Sequence, residues 1–341
     1  MRPDAPAPIR IAVTGGRGRL AALLAEHLSR TEPKDSGPGT NTGPAASPGD
    51  GRDEPRAPSR AQQGAGNGAC ASHAVTLYSR GGGDGFHDLA RLEPELANHH
   101  ALLHLAWSTL PATSERDRGA EARHDLPALE KLLAGIAALA EQSRPHFVFF
   151  STGGAVYGNA PGRPSREDDP CRPIGRYGRG KRAAEEIIER FAAQHGLPCA
   201  ILRISNPYGY PVPRSRVQGI IPHAIRCAVE GQTLTLWGDG HARKDFLHYT
   251  DFLAAVEAVV ARRLTGTFNL GAGESHTVRE VIALVEKHTG KKITLAFQPA
   301  PAWDVEDSRL DNRRLAAAAD WRPLVSLDEG IRRSVAQHAA P

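Results

Sequence analysis

Residues 9–28 read IRIAVTGGRGRLAALLAEHL, and few folds accommodate such a run. Ile9, Ile11 and Val13 have the spacing of a short buried strand, Gly15 to Gly18 form a turn, and Leu20, Leu23, Leu24 and Leu28 make the apolar face of a helix. A strand that turns on glycine directly into a helix leaves backbone amides and a helix N-terminus facing outward at the strand's end. That is a place for a pyrophosphate. The spacing Gly15-x-x-Gly18-x-x-Ala21 differs from the commoner G-x-G-x-x-G, but alanine in the third place still lets helix and strand pack closely. The run therefore predicts a dinucleotide-binding turn, with Gly15, Arg17 and Gly18 against the cofactor, rather than a bare turn.

Beyond this unit the chain alternates. Strands are expected at 74–79, in ALLHLAW and HFVFFST, and in CAILRIS, with helices through Leu126, Leu129, Leu132, Leu133 and Ile136 and through Tyr177. Alternating strands and helices imply a parallel sheet covered on both faces, so the fold class is α/β, a Rossmann-type doubly wound sheet over residues 8–205. From 206 to 338 the pattern loosens into Pro- and Gly-rich connections with helices near 216–230, 250–263, 277–289 and 327–338. The expectation is that this stretch is mainly a smaller C-terminal substrate-binding lobe. Thr277 with Glu280 and Ser326 with Glu329 have capping-box spacing. Residues 31–73 interrupt the nucleotide unit with a run dense in Gly, Pro, Ser and Ala that cannot bury enough apolar surface to offset its ordering entropy. A disordered, passive insertion is expected there.

With 341 residues, 40% of them hydrophobic, the chain can bury a sizeable core. Its net charge of +4 comes from basic residues scattered among carboxylates, not from a basic stripe, which argues against nucleic acid. No run has the length of a membrane helix, and the N-terminal MRPDAPAPIR lacks the apolar core of a secretory signal, so a cytoplasmic location is expected. Cys70, Cys171, Cys199 and Cys227 have neither metal-ligand nor disulfide-framework spacing and read as free thiols, Cys199 and Cys227 in the core. No metal site is expected.

Chemistry enters with RYGRGKRAAEEIIERF. Tyr177 and Lys181 lie one helical turn apart and project from the same face. A cation near a phenol favours the phenolate, which makes Tyr177 a candidate acid/base. Tyr-x-x-x-Lys alone is weak evidence, because many solvated helices carry it by chance.

The segments TGGRGRL, HLAW, STGGAVYG, YGRGK, LRISNPYG, GDGHARKDFLHYTDF and FNLGAG follow in an order that resembles the extended short-chain dehydrogenase/reductases. Within them the chain is similar to the nucleotide-sugar epimerase/dehydratase family, of the UDP-glucose 4-epimerase type, over about residues 8–335 without the insertion. The resemblance implies that Tyr177 is the catalytic acid/base, that Lys181 holds the nicotinamide ribose, and that Leu105 and Ala106 of HLAW border the cofactor. It also makes the C-terminal lobe the part that binds the nucleotide sugar, with Asn206 beside the substrate and a basic pair, Arg243 and Lys244, near its diphosphate.

The chain departs from the family pattern in several places. Gly153 stands where the family has its catalytic Ser or Thr, leaving Ser151 and Thr152, and Thr152 is the substitute proposed here. Lys244 replaces an Arg, Pro301 replaces another three residues before Asp304, with Arg309 a candidate to compensate, and Asp125 takes the place of an Asn. At the end of the second strand LYSRGGG lacks the acidic residue that binds the ribose hydroxyls of NAD. Ser79 and Arg80 there favour NADP(H) over NAD(H). The implied reaction is modification of a nucleotide-diphosphate sugar through a 4-keto intermediate, most simply 4-epimerisation. An NADPH-dependent 4-keto reductase and a catalytically weak cofactor-binding regulator stay open, as does a homodimer. Dehydration across C5 and C6 is disfavoured, because Gly153, Gly154 and Ala155 offer no acid or base.

Overall fold

The computed structural model describes residues 8–30, 73–159, 162–211 and 219–339. The first half of the chain runs β1 (Ile9–Thr14), α1 (Arg19–Ser29), β2 (His73–Ser79), β3 (His87–Asp88), α2 (Leu92–Glu95), β4 (Ala101–His104), α3 (Pro111–Arg116), α4 (Leu126–Ala138), β5 (His146–Thr152), α5 (Gly153–Val156), α6 (Arg176–His195) and β6 (Cys199–Ile204). The second half runs β7 (Asn206–Tyr208), α7 (Ile220–Glu230), β8 (Leu234–Trp237), β9 (Arg243–Lys244), β10 (Phe246–His248), α8 (Tyr249–Ala261), β11 (Gly266–Leu270), β12 (His276–Thr277), α9 (Val278–Thr289), β13 (Leu295–Gln298), α10 (Arg313–Ala319) and α11 (Leu327–Ala339).

Seven parallel strands form the central sheet in the order β3-β2-β1-β4-β5-β6-β11. The order reverses direction between β1 and β4, which opens a crevice at their C-terminal ends where α/β sheets take ligands. Side chains alternate between the two faces of each strand. Ile11, Val13, Leu103, Val148 and Leu202 meet Leu24 and Leu28 of α1 and Phe252 and Val256 of α8. On the opposite face Ala12, Leu102, Phe147, Phe149 and Ile201 meet Leu129, Leu133 and Ile136 of α4 and Ile187 and Ile188 of α6. Both faces are dry, so the strands read as continuous apolar runs.

Three details differ from the sequence reading. β2 begins at His73, paired with Ile9, so the insertion ends one residue early. Residues 31–72 lie outside the described residues, and so does the disorder expected of them. β4 stops at His104 because the chain leaves the sheet there to cross the glycine turn. The C-terminal stretch is also not all one lobe: β11 becomes the seventh strand of the sheet and α8 covers its face. The lobe proper consists of α7, α9 and α11 with the β8–β13 pair, around Ile221, Ile225, Leu234, Leu236, Val281, Val285 and Ile331. Thr277 and Glu280 cap α9 reciprocally, at 3.1 and 2.7 Å, and Ser326 Oγ accepts from Glu329 N at 3.3 Å. Cys199 and Cys227 are buried free thiols and Cys171 is a half-buried one, while Cys70 lies outside the described residues. Among the described residues no helix is long and apolar enough to cross a membrane.

Candidate active site

The switch-point crevice is built on Gly15. Its φ of +74° suits glycine, and a Cβ there would sit 2.9 Å from Ala106 N and 3.0 Å from the Leu105 carbonyl carbon. Leu105 and Ala106 thus run directly over the turn, and Ala106 N donates to Thr14 Oγ1 at 3.3 Å. Gly18 donates from its N–H to Gly15 O at 2.7 Å and starts α1 without a side-chain cap or an acidic residue in the first turn. No acidic side chain of its own first turn competes for the α1 amides, an arrangement that fits a dinucleotide pyrophosphate. Arg17 is directed instead to the β2–β3 loop, donating to Gly82 O at 2.8 Å with its guanidinium 5.4 Å from the Phe86 ring. That loop is unusual: Gly81, Gly82, Gly83, Asp84 and Gly85 all have positive φ. Ser79 is buried beside it, its Oγ without a hydrogen-bond partner among the described residues, and Arg80 is exposed.

The helix carrying Tyr177 starts against α5. A Cβ on Gly178 would meet Ala155 O at 2.6 Å, so glycine lets α6 close on the 152–155 segment and brings Tyr177 beside it. Lys181 is 4% exposed; its Nζ donates to Phe150 O at 2.9 Å and lies 3.9 Å from the centre of the Trp107 ring, 4.7 Å from Phe149 and 6.0 Å from Tyr177. Burial lowers its ammonium to about 7, opposed by the Asp125, Glu185 and Glu121 carboxylates.

Tyr177 contradicts the expectation of a lowered pKa. Burial pushes the phenol above its ordinary value, and Glu121 and Asp125 push it further. Lys181 does not offset this: its Nζ bonds Phe150 O and lies 6.0 Å from the Tyr177 ring centre. Both carboxylates come from a π-helical turn over Glu121–Asp125, a distortion frequent at functional sites. Thr109 Oγ1 donates to Glu121 at 2.5 Å, and Ser108 donates to Asp125 from its N–H at 2.9 Å and its hydroxyl at 2.6 Å. Glu121 and Trp107 were not singled out from the sequence. Glu121 belongs to no short spacing pattern, and HLAW gives its Trp107 no role of its own.

At the end of β5 the two hydroxyls separate. Ser151 donates to Glu185 inside a buried network in which Arg203 donates to Glu185 at 2.8 Å and to Tyr157 Oη at 2.7 Å, and Tyr157 donates to Asn269 at 2.7 Å. Thr152, on the other face, lines a cavity. Gly153 points to neither, because a Cβ there would meet Leu310 Cδ1 at 2.4 Å. Thr152 is therefore the cavity-facing hydroxyl of this segment.

The cavity, about 940 Å³, is lined among others by Thr152, Asn206, Trp237, Lys244, Trp303 and Asp304. Asn206 donates from Nδ2 to Asp245 O at 2.8 Å, and Lys244 donates to Asp304 at 2.9 Å and to Val305 O. Adjacent residues of a strand face opposite ways, so Arg243 points away from the cavity and donates to Ser275 O at 2.6 Å. Arg309 pairs with Asp307 at 2.9 Å. Tyr177 and Lys181 do not line this cavity; they lie across the 152–155 segment from it. The arrangement sets a phenol and an ammonium at the sheet's ligand crevice, next to a hydroxyl that opens on a large, mainly apolar chamber.

Comparison with known proteins agrees with this geometry. The model of the NAD dependent epimerase/dehydratase family matches residues 82–271. A UDP-glucose 4-epimerase of Mycolicibacterium smegmatis is 30% identical over 60% of this chain and 66% of its own length, so just under two thirds of that relative is spanned. A dTDP-4-dehydro-6-deoxyglucose reductase of Escherichia coli is 29% identical over 70% of this chain and 75% of its own. The crystal structure of Thermus thermophilus UDP-glucose 4-epimerase in complex with NAD superposes with a TM-score of 0.75 at 25% identity, covering 97% of this chain and 100% of that one. With more than half its length matched, this chain belongs to the NAD dependent epimerase/dehydratase family.

Proposed function

We propose that this chain is an NAD(P)-dependent enzyme that interconverts nucleotide-diphosphate sugars at C4, by epimerisation of an NDP-hexose. One observation carries the reading: the helix that bears Tyr177 and Lys181 packs through Gly178 on the 152–155 segment, and Thr152, Gly154 and Ala155 of that segment line a chamber of about 940 Å³. In this reading the turn Gly15–Gly18 holds the pyrophosphate and Lys181 the nicotinamide ribose. When bound, the nicotinamide supplies the hydride acceptor and donor for sugar C4. Tyr177 exchanges the proton of the sugar 4-hydroxyl, Thr152 hydrogen-bonds that oxygen, and Asn206 and Lys244 hold the sugar and diphosphate. Lys244 acts as a point charge there, not as a bidentate fork. The sugar reaches a 4-keto state and regains hydrogen on the opposite face. The protein works in the cytoplasm in this reading.

A second reading is favoured by Tyr177 itself. A phenol held protonated by burial, Glu121 and Asp125 is set to donate a proton, as net reduction of a 4-keto sugar by NADPH requires. The test is to incubate the full-length protein and its Tyr177→Phe variant with UDP-, GDP- and dTDP-hexoses and a 4-keto sugar, with and without added NADPH. Epimeric product without added reductant supports the first reading; product only with NADPH supports the second. In either case Tyr177→Phe should lower turnover about 10²- to 10⁴-fold. Full turnover in that variant would remove Tyr177 from the chemistry.

A further inference from the structure

The ammonium of Lys181 is out of water without a carboxylate of its own. Its hydrogen bond among the described residues goes to Phe150 O, at 2.9 Å. Around the rest of the group stand ring faces, of which Trp107, at 3.9 Å, is nearest. The charged and titratable groups that face Lys181 are Asp125 and Glu121 from the π-helical turn, Glu185 from α6 and His104 from β4, with Tyr177 beside it. Each carboxylate is engaged elsewhere: Asp125 by Ser108, Glu121 by Thr109, and Glu185 by Ser151, Arg182 and Arg203. Burial and the neighbouring ammonium push His104 down to about 3, so it stays neutral.

Trp107 is itself an odd choice for this place. It packs edge-on against Phe149, ring centres 6.0 Å apart, and its indole Nε1 is buried with no hydrogen-bond partner among the described residues. A phenyl ring would fill much of the same space without the cost of an unpaired N–H. What the indole adds is the strongest π face among the side chains, and its attraction for an ammonium grows when water is excluded. A neutral amine gains nothing comparable.

We infer that Trp107 is a positioning residue for Lys181, its ring face taking the part of a counter-ion that holds the ammonium charged and in place at the end of β4. This rests on the reading that Lys181 holds the nicotinamide ribose. Burial, partly offset by the three carboxylates, leaves Lys181 at about 7, so a modest loss of stabilisation decides whether it carries a charge at neutral pH.

The test follows cofactor binding, by nicotinamide fluorescence, in the full-length protein from pH 6 to 10. Wild-type affinity for NADH or NADPH should fall above a midpoint that reports Lys181, and Lys181→Met should abolish that midpoint. Trp107→Leu should move it down by about one pH unit, a loss of affinity that grows to roughly tenfold above the wild-type midpoint, and Trp107→Phe should move it less in the same direction. Thermal melts establish which variants are folded, and the alkaline limb of kcat/KM should move in parallel. An unchanged midpoint in Lys181→Met would overturn the ribose role of Lys181 and this inference with it. A midpoint lost in Lys181→Met but unmoved in the folded Trp107 variants would overturn the role of Trp107 alone.

Discussion

Cofactor choice is a question for single side chains at the end of β2. Ser79 is buried, and the acidic residue opposite it in the ladder, Asp88, turns its Oδ1 to Ala90 N at 3.1 Å. Arg80 is exposed, whereas Arg17 is occupied by the Gly82 carbonyl and the Phe86 ring. Arg80 offers a 2′-phosphate a guanidinium, which binds phosphate through paired N–H donors, where an acidic residue would bind the ribose hydroxyls of NAD. NADP(H) should therefore bind more tightly than NAD(H), and Arg80→Ala should weaken NADPH about tenfold while leaving NADH unchanged. Equal affinities in a fluorescence titration would return the preference to NAD. At this scale the sequence is most legible where chemistry depends on local spacing, as for Gly15 with Gly18 or Tyr177 with Lys181. Glu121 escapes such a reading and Trp107 shows no role within HLAW, because each meets its neighbour on α6, Gly180 and Lys181, only in the fold.

The short element α5 explains a departure that looks like a defect in the sequence alone. Gly153 opens α5 facing Leu310, and Thr152, the last residue of β5, takes the cavity side. Restoring the hydroxyl by Gly153→Ser should therefore not raise activity. It should instead overpack the site and cost about 1–3 kcal/mol of stability, read from denaturant unfolding. Thr152→Ala should keep stability within about 1 kcal/mol and slow turnover about 10²-fold, the usual consequence of losing one donor aimed at the reacting oxygen. A faster Gly153→Ser enzyme would place the catalytic hydroxyl at 153 after all. Long elements such as α4, α6 and the sheet strands announce themselves by periodicity. An element of four residues has none to show, and the direction of its first side chain is set by Leu310, on a distant loop.

Across the whole molecule, one carboxylate joins the sheet to the cavity wall. Asp245, between β9 and β10, is fully buried; it accepts from Ala272 N at 2.8 Å and from Gly273 N and Leu310 N at 3.3 Å each, and its carbonyl accepts from Asn206. The backbone N–H partners of its carboxylate lie 27 to 65 residues further on, beyond any short motif, so RKDF gave no sign of this role. Burial raises its pKa from 3.8 to about 6, with the backbone N–H groups opposing the shift. Since the folded value is the higher, between these limits the native state keeps a proton that the unfolded chain has released. Its contribution to stability is complete below about 4 and is lost as the pH rises through about 6. Asp245→Asn cannot titrate, so the stability of wild type relative to the variant should decline by up to about 3 kcal/mol from pH 4 to 6 and stay level above 7. Urea midpoints for both proteins at several pH values measure this directly. A difference that widened with pH would mean that the three N–H donors outweigh burial and hold Asp245 ionised, making its charge a source of the junction's stability rather than a cost to it.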